Sequence, residues 1–281
     1  MQFWKMQGLG NDYIVIDNRQ EQINDQKAQR WAKQLCERRF AVGADGLLLV
    51  CPSQVADVKM RMFNADGSEA EMCGNGIRCF SKYCYENAIV KKAEFRIETL
   101  AGIKPVWLTV KDSQVLAVEV DMGVPNWQRA SVPMIGEGTC IDQTLQVGEE
   151  IYQVTTLSMG NPHCVSFVED IENFPVGLVG ERIETHPAFP QRTNAAFVEV
   201  HNCCEMSVRV WERGCKETLA CGTGACASFA TAKKLGRVQD KVIVHLRGGD
   251  LQITEGEEGN IYMRGPAEKV FEGKLFREEP I

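Results

Sequence analysis

The stretch MRMFNADGSEAEMCGNGIRC (60–79) recurs 148 residues later as VRVWERGCKETLACGTGACA (208–227). Twenty positions align without a gap: Arg61 with Arg209, Phe63 with Trp211, Glu69 with Glu217, and Cys73 with Cys221. Gly74 and Gly76 fall on Gly222 and Gly224. Upstream, GNDYIVID (10–17) matches GNPHCVSF (160–167) at an offset of 150, and the halves close on VDMGVP (120–125) and IYMRGP (261–266). Three ordered matches at near-constant spacing point to two copies of one domain.

The turn-rich Gly123-Val124-Pro125-Asn126 marks the expected boundary. It places 1–122 in a first domain and 123–266 in a second. The tail 267–281, with AEKVFEGKLF, is expected to return to the first domain as a final strand. Short alternating or β-branched runs predict strands at 13–17, 46–50, 57–63, 94–99, 105–110 and 115–121 in the first copy. In the second they predict strands at 151–157, 164–168, 195–200, 205–211, 241–246, 250–254 and 260–264.

Helices are few. One is predicted from Asp25 to Arg38, with Ala28, Trp31 and Leu35 on one stripe. Two more follow the duplicated cysteines, carrying Ile77, Phe80, Cys84 and Ala88 in one case and Ala225, Phe229, Ala232 and Leu235 in the other. Short polar or Gly-containing links favour antiparallel pairing. The expected class is α+β: two pseudo-symmetric domains, each a curved antiparallel sheet or barrel around a central helix.

The bulk composition narrows function by exclusion. The 281 residues are 44% hydrophobic and 25% charged, ordinary for a soluble protein, with a net charge of −7. An acidic pI near 5.3 argues against a general nucleic-acid or anionic-membrane surface. The N-terminus lacks the basic and apolar pattern of a secretory signal, and runs such as Leu47–Val50 are too short to span a bilayer, so a cytoplasmic location is expected. The twelve cysteines show no C-x2-C spacing, and the four histidines show no ligand spacing. No metal is expected, and most thiols are expected to be small buried apolar groups.

Cys73 and Cys221 stand apart from that background. Each precedes Gly-x-Gly at a helix start, where backbone N–H groups lack partners and the helix dipole is positive. Such a turn binds a carboxylate, and a thiol there can have its pKa lowered from about 8.5 into roughly the 3.5–7.5 range. Two such turns facing across a cleft would put one thiol on each side of an α-carbon. One thiolate would remove the α-proton, the opposite thiol would donate one, and stereochemistry would invert in either direction.

Other readings exist for the same residues. The two cysteines can be small side chains in tight helix starts, or a dithiol that responds to redox state in a binding protein. GTGACA (222–227) also fits a dinucleotide G-x-G-x-x-A, but the buried preceding strand is absent and Gly74-Asn75-Gly76 breaks the spacing. The copies diverge where Asn64-Ala65 aligns with Glu212-Arg213. A symmetric reaction centre needs matching cysteines, whereas a substrate with one remote end needs groups on one side only. Arg213 suits a bidentate pair with a distal carboxylate.

The blocks KMQGLGNDYIVID (5–17), FNADGSEAEMCGNGIRC (63–79), MGNPHCV (159–165), TNAAFVE (193–199) and VWERGCKETLACGTGACA (210–227) resemble the diaminopimelate epimerase family, in order and over most of the chain. Related proline racemases typically read Cys-Gly-His-Gly at the first turn, where this chain has Asn75, and phenazine-type isomerases lack the cysteine pair. Proline or hydroxyproline racemisation is the alternative activity within the wider group.

The resemblance implies a diaminopimelate epimerase-like fold and interconversion of LL- and meso-2,6-diaminopimelate, without pyridoxal phosphate or metal. The product would serve lysine and peptidoglycan precursor synthesis, and the assembly would be a homodimer. It also implies roles by residue: Cys73 and Cys221 as acid and base, and Gly74, Asn75, Gly222 and Thr223 around the reacting carboxylate. Asn11, Asn64, Asn161, Asn194, Glu212 and Arg213 would line the rest of the site, with His163 and Glu212 adjusting thiol protonation.

Overall fold

The computed structural model describes residues 1–21 and 23–276, so the end of the tail assigned to the first domain, 277–281, lies outside the described residues. The chain divides into two compact units, Met1–Val120 with Arg264–Ile281, and Asp121–Met263.

The first unit runs β1 (Gln2–Gly8), β2 (Asn11–Asp17), α1 (Asp25–Leu35), β3 (Gly46–Cys51), β4 (Val58–Asn64), β5 (Glu69–Ala70), α2 (Gly74–Glu86), β6 (Glu94–Thr99), β7 (Gly102–Lys111) and β8 (Gln114–Gly123). The second runs β9 (Gln143–Val147), β10 (Glu150–Ser158), β11 (Pro162–Phe167), α3 (Val176–Glu184), β12 (Asn194–Asn202), β13 (Glu205–Glu212), β14 (Lys216–Glu217), α4 (Gly222–Lys234), β15 (Lys241–Leu246), β16 (Gly249–Glu255) and β17 (Ile261–Gly265). A last strand, β18 (Glu268–Lys274), pairs antiparallel with β1.

Both units repeat one topology. β1 pairs with β2, β2 with β3, β3 with β4, and β4 with both β5 and β6. In the second unit β10, β11, β12, β13, β14 and β15 follow the same scheme. The register repeats too: Leu48 faces Met62 and Leu49 faces Arg61, as Ala196 faces Val210 and Phe197 faces Arg209. The outermost strand differs in origin. β18 covers β1 from the far end of the chain, whereas β9 covers β10 from the residue run just before it.

Most pairs are antiparallel, as expected, but β2–β3, β4–β6, β11–β12 and β13–β15 are parallel. Each parallel step is a crossover through a helix, which returns the chain to the same end of the sheet; a short turn cannot do this. The continuous apolar run of β3, buried at every residue, follows from this arrangement. Ile14, Ile16, Leu47 and Leu49 pack with Trp31 and Leu35 of α1, while α2 packs on β1–β4 and β7.

The first helix stops at Leu35 rather than Arg38, because Arg38 leaves the helical path to clamp Asp12 and Asp45 at 2.7 Å each. The sequence reading missed β1, β9, α3 and the two-residue strands β5 and β14. Pro175, Gly177 and Gly180 hide α3, yet it is the repeat counterpart of α1 and packs on β12 and β13. Gly180 has a packing reason: a Cβ there would stand 2.5 Å from Trp211 Cβ. Both α2 and α4 have thirteen residues and are buried nearly all round. Phe80 and Phe229 are fully buried at their centres, and a side chain of this size contributes roughly 1.5–3 kcal/mol on burial. Among the described residues no helix is long and apolar enough to cross a membrane.

Candidate active site

Both candidate cysteines are delivered by the same local device. In the first unit the chain leaves β4, turns through 64–68 and returns as β5, and Asn64 N donates to Ser68 O at 2.8 Å. A bidentate pair from Arg61 to Glu69, at 2.7 and 2.9 Å, ties the return to β4. In the second unit Arg209 holds Glu217 in the same way at 2.8 and 3.1 Å. Paired Arg–carboxylate forks fix direction as well as distance. They account for two of the duplicated residues without any direct chemistry.

Cys73 is the N-cap of α2, in extended conformation at φ −139° and ψ 125°. Its carbonyl accepts from Ile77 N at 2.9 Å, and its sulfur accepts from Gly76 N at 3.5 Å. Cys221 caps α4 in the same conformation, φ −119° and ψ 107°, with its carbonyl accepting from Ala225 N at 2.9 Å. The second glycine of the motif serves packing in this unit. A Cβ at Gly224 would lie 2.8 Å from Val210 Cγ2 and 3.2 Å from the Cys221 sulfur.

The surroundings of the two thiols differ. Tyr13 Oη lies 3.0 Å from Cys73 Sγ, and Asn11 Nδ2 donates to the same phenol oxygen at 3.3 Å. Tyr13, Gly46 and Asn64 share one row across β2, β3 and β4. A Cβ at Gly46 would stand 2.9 Å from Phe63 O, so this glycine lets β3 lie close to the β4 backbone, with the Tyr13 ring in ordinary contact at 3.4 Å. Asn64 reaches the rim of this row, and its amide donates to Ser68 Oγ at 3.0 Å. Arg78, fully buried, donates to Gly74 O, to Asn75 Oδ1 and to Pro266 O at 2.9–3.0 Å. The Asn75 side-chain oxygen is thereby engaged from beneath the turn.

In the second unit, His163, Asn161, Thr223 and Cys221 form one line. His163 Nε2 meets Asn161 Oδ1 at 3.0 Å, Asn161 Nδ2 donates to Thr223 Oγ1 at 3.2 Å, and Thr223 Oγ1 lies 3.6 Å from Cys221 Sγ. His163 Nε2 must be the protonated nitrogen, because it faces a carbonyl oxygen. Its Nδ1 is buried without a partner. Burial, and then the charge of Arg213, lower the imidazole to about 3, so His163 is neutral near pH 7 and reaches the thiol through Asn161 and Thr223.

Glu212 accepts from Thr218 Oγ1 at 2.6 Å, and its charge acts on Cys221. Burial raises the Glu212 carboxyl above its ordinary value. Burial, and then the Glu212 charge, push the Cys221 thiol well above its own. A helix start is expected to lower a thiol; at Cys221 desolvation and a neighbouring carboxyl outweigh the dipole. Asn194 accepts from Arg213 N at 2.8 Å and donates to Pro162 O at 2.7 Å, bridging the strand ends that carry Glu212 and His163. The Arg213 side chain is exposed and lies 3.3 Å from Gln191 O.

Each unit therefore assembles its own sequence-predicted residues: Asn11, Asn64, Cys73, Gly74 and Asn75 in one, and Asn161, His163, Asn194, Glu212, Arg213, Cys221, Gly222 and Thr223 in the other. Tyr13, Arg78 and Thr218 were missed. The repeat carried a signal for Tyr13, which aligns with His163 in GNDY and GNPH.

The family model described as diaminopimelate epimerase matches residues 3–128 and 155–270. Among curated relatives, a diaminopimelate epimerase of Pelotomaculum thermopropionicum is 50% identical over 275 residues, covering 98% of each chain. One from Moorella thermoacetica is 49% identical, covering 97% of this chain and 98% of the relative. Among solved structures, a phenazine biosynthesis protein of the PhzF family from Bacillus anthracis aligns with a TM-score of 0.70 at 18% identity, covering 99% of both chains, which is a likeness of fold.

Proposed function

The chain belongs to the diaminopimelate epimerase family, and from that premise we propose that Cys73 and Cys221 are the two acid–base groups of a cofactor-free inversion at one α-carbon of 2,6-diaminopimelate. The activity is that of an isomerase acting on diaminopimelate. The single observation that carries the two-thiol reading is the duplicated cysteine N-cap, each with its own distinct polar partner.

One sulfur, as thiolate, takes the α-proton, and the electron pair left on carbon spreads into the adjoining carboxylate. The other sulfur, as thiol, returns a proton to the opposite face, so the two sulfurs exchange protonation and the carbon inverts. Reversal starts from the exchanged state and interconverts the LL and meso forms. N–H groups of the first turns at Gly74, Asn75, Gly222 and Thr223 hold the reacting carboxylate and stabilise the charge that develops there. Asn11, Asn64, Asn161, Asn194 and Glu212 contact the rest of the substrate, and Arg213 takes the distal carboxylate. His163 and Glu212 set the protonation of Cys221.

In this reading the protein acts as a homodimer in the cytoplasm, on a small-molecule substrate, in lysine and peptidoglycan precursor synthesis.

The test follows LL-diaminopimelate in deuterated water. Deuterium is expected at one α-carbon as the meso form appears, and Cys73→Ala or Cys221→Ala is expected to lower turnover by about 10²–10⁴-fold. Full turnover by either variant defeats the two-thiol reading. Activity confined to proline or hydroxyproline would redirect the substrate assignment.

A further inference from the structure

We infer that Glu184, the last residue of α3, is a positioning residue that fixes the turn carrying Arg213 and so sets recognition of the substrate's distal end. The inference rests on the reading of Arg213 as partner of the distal carboxylate and adds what holds that arginine in place.

Arg213 and Gly214 lie in an exposed turn between β13 and β14. Cys215 N closes the turn on Glu212 O at 3.0 Å. Lys216 sits at φ 65°, in the left-handed region that a side chain disfavours, so the closure needs support from outside. Two consecutive amides supply it. Arg213 N donates to Asn194 Oδ1 at 2.8 Å, and Gly214 N donates to Glu184 Oε1 at 2.9 Å. Peptide groups tied to β12 on one side and α3 on the other leave the Arg213 backbone little freedom.

Glu184 is suited to this task and to no direct one. It is 5% exposed, and both of its oxygens are engaged. Oε2 accepts from Trp211 Nε1 at 2.7 Å, and Oε1 accepts from Arg192 Nη1 at 3.4 Å besides Gly214 N. Burial alone would raise this carboxyl, but the bonds from Trp211, Gly214 and Arg192 outweigh it and hold the group below its ordinary value. It is therefore a fixed anion at working pH. The same stretch reaches the arginine head: Gln191 O accepts from Arg213 Nη1 at 3.3 Å, next to the Arg192 that meets Glu184.

The repeat shows what was changed to make this anchor. Asp66-Gly67-Ser68 of the first copy align with Gly214-Cys215-Lys216 of the second. Asp66 binds within its own turn, accepting from Ser68 N at 2.8 Å and from Ser68 Oγ at 2.6 Å. The second copy has no carboxylate at that position, and its Gly214 N–H goes to Glu184 instead. Moving the anchor into α3 leaves the tip of the turn to Arg213. An exposed arginine whose Cα is already fixed loses less freedom when it binds a carboxylate.

The experiment is a double-mutant cycle on the full-length protein, with KM and kcat measured for LL-diaminopimelate. The Glu184→Gln side chain offers one acceptor oxygen to two N–H donors. It is expected to raise KM about tenfold, the scale of one lost hydrogen bond to a charged group, with kcat held within about twofold. Arg213→Ala is expected to lower kcat/KM about 100-fold. Adding Glu184→Gln to Arg213→Ala is expected to cost less than about twofold more, because the residue being positioned is gone. An unmoved KM in Glu184→Gln overturns the inference. So does a full tenfold loss in the Arg213→Ala background, which is the outcome of a merely structural role. If Glu184→Gln fails to fold, hydrogen exchange in the native protein decides. The exposed Gly214 amide is expected to exchange at least about 100-fold slower than a free amide, and exchange at the free rate overturns the inference. Failure of the Arg213 reading registers separately, as an Arg213→Ala protein with the native KM.

Discussion

His163 shows how one residue couples burial to pH. The ring is fully buried, its Nδ1 has no partner, and burial followed by the Arg213 charge lowers it to about 3. The unfolded chain takes up the proton near pH 6.5, while the folded chain resists it until about pH 3. Stability from this group is therefore complete above pH 6.5 and falls as the pH drops through that window, by about 1.4 kcal/mol per pH unit. Urea unfolding at pH 7, 6 and 5 is expected to show the native protein losing about 2 kcal/mol more than His163→Gln across the range. Parallel curves for the two proteins would contradict the neutral, buried imidazole. The same neutrality limits what His163 can do for catalysis: it orients Asn161 and Thr223 and supplies no positive charge to Cys221.

At the scale of the element, α3 separates propensity from packing. Its two internal glycines weaken it as an isolated helix, each by roughly 0.8–1 kcal/mol relative to alanine. Only Gly180 is held there by its neighbours, since a methyl would collide with Trp211 Cβ and Cγ at 2.5 and 2.7 Å. Gly177 is exposed, and its nearest contact would be Trp211 Cζ3 at 3.9 Å. Gly177→Ala is expected to raise stability by up to about 1 kcal/mol, and Gly180→Ala to lower it by about 1–3 kcal/mol. Thermal unfolding of the two variants checks this, and equal shifts of the same sign would refute it. Trp211 also donates to Glu184 at 2.7 Å, and Glu184 accepts from Gly214 N at 2.9 Å. A collision at Gly180 would therefore be felt at the turn that carries Glu212 and Arg213.

At the scale of the whole molecule, the two units solve one edge problem in two ways. β18 completes the first unit from the end of the chain, with Leu275 N donating to Met1 O at 2.8 Å and Phe271 meeting Phe3 edge-on at 6.1 Å. A chain ending at residue 266 would expose the ladder groups of β1 along Gln2–Gln7 and uncover Phe3. That truncation is expected to lower the urea midpoint and raise light scattering; an unchanged midpoint would show β18 to be dispensable. β9 does the corresponding service for β10 inside the second unit.

The amino-acid sequence by itself determined the repeated unit, the placement of both cysteines at helix starts and the sites of the principal strands. These are local or periodic properties: alternation, helical spacing and a constant offset survive in the linear chain. It also carried the divergence of Asn64 from Glu212. Only the tertiary structure decided which neighbours the thiols meet. Tyr13 reaches Cys73 across sixty residues of chain, and the Glu212 charge acts on Cys221 across a two-residue strand return. Burial decided the direction at Cys221, where desolvation and a carboxyl overcame the helix start. The parallel crossovers and α3 were likewise set by packing, because a glycine that admits Trp211 looks in sequence like a helix breaker. Two cysteines in matching motifs were legible as a pair; that their environments are opposite in kind was a property of the folded neighbourhood, since ionisation depends on charge and burial in space.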